Sequence, residues 1–111
     1  MGVVSTITIA ELLNGAYRVG AEEAERLKAD FRGFESAGSL IVDLNFPLAD
    51  KIGELCAKHN TRIRPDVIII ASALTVQAEV VATRDMEHFK PYQQEIWIAE
   101  PEEILPKLPK L

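Results

Sequence analysis

One segment constrains the fold of this chain more than any other: Pro65-Asp66-Val67-Ile68-Ile69-Ile70-Ala71-Ser72-Ala73-Leu74. Its spacing predicts a helix with apolar residues on every side, and such a helix has to be buried. Proline suits the first turn of a helix, where a missing N–H removes no internal bond. Just beyond it, Glu79-Val80-Val81-Ala82-Thr83 is short and β-branched, which predicts a buried strand. A buried helix beside a buried strand needs cover on two sides, so the rest of the chain has to supply layers around them.

The preceding residues can provide that cover. Residues 3–6 predict a first strand, and Ser5, Thr6 or Thr8 can cap the helix that follows. Leu12, Leu13, Ala16 and Val19 give this helix an apolar face, and Gly20 ends it. Residues 21–34 predict an amphipathic surface helix, with Ala24, Leu27, Phe31 and Phe34 at helical spacing, stopped by Gly38. A second strand is expected over residues 39–45. A third helix starts from Pro47, with Leu48, Ile52, Leu55 and Cys56 facing inward. Residues 59–64 and 89–94 read as loops, 96–99 as an edge-type strand, and Pro101 onward as a short helix or tail. Helices alternate with short strands, so the expected class is α/β, with a mostly parallel sheet covered on both faces.

Charge narrows the partners. Twelve basic against 17 acidic residues give a net charge of −5, the wrong sign for coating nucleic acid non-specifically. A nuclease stays open, because carboxylates gathered around divalent ions make an enzyme acidic while the ions supply positive charge locally. The 111 residues are enough for one domain with one core, taken as 1–111. No apolar run reaches the roughly 20 residues that span a bilayer. No signal-peptide pattern is present, and the lone Cys56 gives neither a disulfide framework nor a zinc pattern. The expected setting is cytoplasmic, with no membrane.

Three acids stand out against this apolar background. Asp66 opens the buried helix, Asp85 follows the buried strand at its carboxyl end, and Glu11 falls in or just after the first turn of the first helix. Each has a plain explanation alone: a first-turn acid favoured by the helix dipole for Asp66 and Glu11, a turn residue for Asp85. Together they can converge at the carboxyl edge of the sheet, where open α/β folds bind ligands. Like charges held that close need a cation, and hard oxygen ligands favour Mg²⁺ or Mn²⁺. Such a site can activate water and stabilise the charge that develops on a phosphodiester.

The order of three segments resembles a PIN domain, the metal-dependent nuclease fold found in the toxin half of many toxin–antitoxin pairs. They are Thr6-Ile7-Thr8-Ile9-Ala10-Glu11-Leu12-Leu13-Asn14-Gly15, then Asp66-Val67-Ile68-Ile69-Ile70-Ala71-Ser72-Ala73, then Val80-Val81-Ala82-Thr83-Arg84-Asp85-Met86-Glu87-His88-Phe89. The resemblance implies a three-layer α/β/α fold and a carboxylate site for Mg²⁺ or Mn²⁺. Glu11, Asp66 and Asp85 match the second, third and fourth acids of that site, and Thr83 matches the polar residue that supports it. It also implies an RNA substrate and an antitoxin partner. One unit has no counterpart: the strand with the first aspartate and the two helices after it, which in the family precede the segment matched from Val3. The expectation is therefore a PIN-like domain truncated at its N-terminal βαα unit, with an open core edge that favours a homodimer or higher oligomer.

Around the acids, Arg62, Arg64, Arg84, His88 and Lys90 are candidates for holding RNA phosphates. Arg84 and Thr83 are taken as substrate-binding, whereas Arg62 is expected to pair with acids and His88 to pack against Phe89. Trp97 and Tyr92 can stack bases, although packing is the plainer role. Three functions remain: a toxin-type ribonuclease, a non-catalytic PIN remnant that binds or oligomerises, and a small α/β regulatory domain.

Overall fold

The computed structural model describes residues 2–104 and residue 106. Strand β1 (Val3–Ser5) runs directly into helix α1 (Thr6–Val19). Ser5 makes the junction, since its Oγ accepts the Thr8 backbone N–H at 3.1 Å. This satisfies one of the donors that a helix start leaves without a partner. Gly20 separates α1 from α2 (Ala21–Ser36), and the two helices pack against each other as a hairpin. β2 (Leu40–Val42) returns to pair in parallel with β1, Val3 opposite Leu40 and Ser5 opposite Val42. Gly2 lies so close to Phe34 that an added Cβ would come within 2.8 Å of the ring, so a larger residue at this corner would have to displace the Phe34 side chain.

The second half begins with α3 (Phe46–Lys58) and α4 (Pro65–Thr75). The start of α3 falls one residue before the expected Pro47 because Asn45 caps it, Oδ1 accepting the Leu48 N–H at 2.9 Å. β3 (Val80–Ala82) pairs in parallel with β4 (Trp97–Ala99), Val80 opposite Trp97 and Ala82 opposite Ala99. All four strands are three residues long, shorter than the expected runs. Between β3 and β4 the expected loop is helical instead. α5 (Met86–Phe89) and a 3₁₀ turn over Lys90–Tyr92 carry Phe89 and Tyr92 into the core. α6 (Pro101–Ile104) follows, and the part of the expected C-terminal tail beyond residue 106 lies outside the described residues.

The pairing is parallel, as expected of an α/β fold, but among the described residues it forms two separate two-stranded sheets, β1–β2 and β3–β4. A two-stranded sheet is marginal alone, so something has to join the halves. That element is α4, which packs on β1, β3, α1 and α3. Val67, Ile70 and Ala71 are fully buried in it, with Ile68 and Ala73 close behind. Its one buried polar side chain is satisfied, because the Ser72 hydroxyl donates to the Ile68 carbonyl at 2.7 Å. The core extends from α4 to Leu48, Ile52 and Leu55 of α3 and to Val81, Ile98, Phe89 and Tyr92 on the other side.

Three helices end in the same turn. After α2, α3 and α4 the chain takes a left-handed residue, at Gly38 (φ 92°), Asn60 (φ 49°) and Gln77 (φ 58°). Each turn is closed by two backbone bonds, for example Thr61 N–H to the Cys56 carbonyl at 3.0 Å and Ala78 N–H to the Ala73 carbonyl at 2.9 Å. This is the Schellman arrangement that satisfies the last carbonyls of a helix.

Candidate active site

Asp66 sits in the first turn of α4, where helix-end N–H groups favour a carboxylate. It is half-buried and lines a cleft of about 410 Å³. One wall of that cleft is the turn after α3, with His59, Asn60 and Thr61, continued by Arg64 just before α4. α5 also lines the cleft, through Glu87 and His88, as do Pro91 and the buried Tyr92. The turn after α3 is anchored to the segment between α5 and β4. Glu95 holds Lys58 Nζ at 2.5 Å and His59 Nε2 at 3.1 Å, and the His59 and Tyr92 rings meet at 4.7 Å between centroids. The Lys58 bond, with a smaller contribution from the His59 hydrogen bond, keeps the Glu95 carboxyl below its usual range.

Asp85 lies beside the cleft rather than in its lining, and works on α5. As N-cap it accepts the His88 N–H at 3.3 Å, and its two oxygens lie 2.9 and 2.8 Å from His88 Nδ1. The contact lowers the Asp85 pKa and raises that of His88, to which Asp66 and Glu87 add a smaller electrostatic push. His88 is therefore not packed on Phe89 as expected; its side chain is exposed and bonded to Asp85. It is bonded to Asp85 and lines the same cleft as Asp66.

The other expected residues are placed differently. Glu11 lies in the second turn of α1, exposed, and does not line this cleft. It belongs to the β1–β2 half, whereas Asp85 belongs to the β3–β4 half. Thr83 Oγ1 accepts the Asp85 N–H at 3.0 Å, so it shapes the turn that presents Asp85. Arg84 pairs with Glu102 of α6 at 2.5 Å. Arg62 and Arg64 have no ion-pair partner among the described residues, against the expectation for Arg62. Tyr92 is buried, while Trp97 is partly exposed on β4. Asn60, Glu87 and His59 were not singled out as cleft residues. The signal for Asn60 was its place just past the last turn of α3, where asparagine tolerates the left-handed backbone.

With this geometry in view, the family profile described as PIN domain matches residues 1–93. The chain belongs to the PIN domain family. A PIN domain is a nuclease-type α/β fold, and its members generally depend on a divalent metal, bind RNA and often pair with antitoxins. No curated protein and no solved structure matches the chain. No described helix is long and apolar enough to cross a membrane.

The donors of this PIN domain suit the family's metal in kind more than in number. Among the described residues no three His, Cys, Asp or Glu side chains stand close enough to hold one ion. Asp66 and Glu87 nevertheless bring hard carboxylate oxygens to one cleft, with Asp85 bonded to the neighbouring His88. Mg²⁺ commonly takes one or two carboxylates and fills its remaining positions with water and substrate phosphate oxygens.

Proposed function

We propose that this PIN domain is a divalent-metal-dependent ribonuclease of the toxin type, which hydrolyses phosphodiester bonds of RNA held in the cleft at the start of α4. The observation that supports it most is the half-buried Asp66 in the same cleft as His88, the partner of Asp85. Asp66 and Asp85 are the residues proposed to hold Mg²⁺ or Mn²⁺; Glu11, the third acid expected from the sequence, lies outside the cleft lining and is not among them. A bound ion would supply charge against the phosphate and lower the pKa of its water. The chain's own groups do the rest. Thr83 fixes the turn of Asp85. His88, held at Nδ1 by Asp85, presents Nε2 as a hydrogen-bond donor to a phosphate oxygen or leaving oxygen when the ring is protonated. An antitoxin is the proposed protein partner, and the cytoplasm the proposed setting.

The test is cleavage of a labelled single-stranded RNA with Mg²⁺ or Mn²⁺ and with chelator. The expected outcome is metal-dependent cutting that Asp66→Asn and Asp85→Asn each lower by at least a hundredfold, with unchanged circular dichroism. Full activity in both variants would sink the assignment.

A second reading has its own support in the divided sheet and in the exposed Phe46, Ile63 and Leu44, which are 85%, 68% and 58% accessible. It makes the chain a non-catalytic module that binds a partner or a second copy through these apolar surfaces. Light scattering on the same preparation separates the two. A dimer that does not cut RNA supports the module, and a monomer that cuts excludes it.

A further inference from the structure

A polyanion that enters this cleft meets two carboxylates, Asp66 and Glu87, so it needs a cation in the same lining. Three basic side chains line the cleft: His59, Arg64 and His88. Two are engaged, His59 with Glu95 at 3.1 Å and His88 with Asp85 at 2.8 Å. Lys58 beside them is also held by Glu95, and Arg84, the arginine the sequence favoured, is held by Glu102. Arg64 is exposed and has no ion-pair partner among the described residues.

We infer that Arg64, not Arg84, is the residue that holds the RNA phosphate in this cleft. Its backbone is fixed on both sides: the turn at Asn60 and Thr61 closes α3 before it, and Pro65 starts α4 after it. Only Pro65 separates it from Asp66, so their α-carbons lie within about 7 Å. A phosphate gripped by the guanidinium fork, with its paired parallel donors, is thereby held beside the carboxylate proposed to hold the metal. The inference rests on the ribonuclease reading of the same site.

The experiment is fluorescence anisotropy with a labelled single-stranded oligoribonucleotide whose phosphorothioate linkages resist hydrolysis, in Mg²⁺, across a salt series. Arg64→Ala is expected to weaken binding about tenfold and to reduce the slope of log affinity against log salt by roughly 0.7. Arg64→Lys keeps the charge and is expected to keep that slope. Arg84→Ala is expected to leave both quantities unchanged. Wild-type affinity and slope in Arg64→Ala, or the loss appearing in Arg84→Ala instead, would overturn the assignment while leaving the ribonuclease reading standing. No binding by the wild-type chain would overturn both.

Discussion

The oxygens of Asp85 lie 2.9 and 2.8 Å from His88 Nδ1, and this contact governs how both groups titrate. The hydrogen bond to Asp85 raises the His88 pKa above 6.5, so the pair's contribution is complete below that value and is lost as pH rises through the raised one. The same bond lowers the Asp85 pKa below 3.8, so its contribution is present above that value and is lost as pH falls through the lowered one. The pair is intact between these limits. In an NMR titration His88 should have a midpoint above 6.5 that returns toward 6.5 in Asp85→Asn; an unmoved midpoint would detach the two residues. Asp85 was legible in the sequence as an acid at a strand end. His88 was misread because three-residue spacing in a short helix allows packing on Phe89 as well as a bond to the cap, and the sequence does not choose between them. Arg84 was misplaced for a similar reason, since its partner Glu102 lies in a different element.

Helix starts were more legible than helix ends. Serine and proline mark their starts by chemistry that works within three residues, and Ser5 and Pro65 stand where that chemistry requires, whereas Asn45, the cap of α3, was read as the end of the strand before it. The stop after α2 was equally plain, because glycine occupies its left-handed position. After α4 the same position holds Gln77 at φ 58°, a conformation with a steric cost for a residue with a Cβ. Glycine there keeps both closing bonds and removes that cost. Gln77→Gly is expected to raise the free energy of unfolding by about 0.5–1 kcal/mol in urea denaturation. A loss of stability would mean that the Gln77 side chain makes a contact worth more than the strain. Asn60 should gain less from the same change, since asparagine already tolerates this backbone. The 3₁₀ turn at Lys90–Tyr92 was illegible for the opposite reason: three residues carry too little periodicity to separate it from a loop.

At the scale of the molecule, each strand could be read from its β-branched residues, but the partners of each strand could not, because pairing depends on where the whole chain goes. The structure leaves β1 and β3 in different sheets, and α4 is what makes them one body. This follows from the feature most apparent in the sequence: a helix apolar on all sides can serve two sheets at once, where an amphipathic helix would serve one. Ile70 is fully buried in that helix. Ile70→Ala should cost about 2–5 kcal/mol, transfer and cavity together, a large part of the 5–15 kcal/mol typical of a domain. Phe46→Ala, at an 85% exposed position, should cost little. The informative reading is hydrogen exchange rather than the melting curve. If α4 is the only tie between the halves, a cavity at Ile70 loosens β1 and β3 together, and the amides of Val3–Ser5 and Val80–Ala82 should lose protection by the same free energy. If one pair keeps its protection while the other loses it, that half is held by contacts of its own, and the β3–β4 half with Asp85 would then open without disturbing the β1–β2 half that carries Glu11.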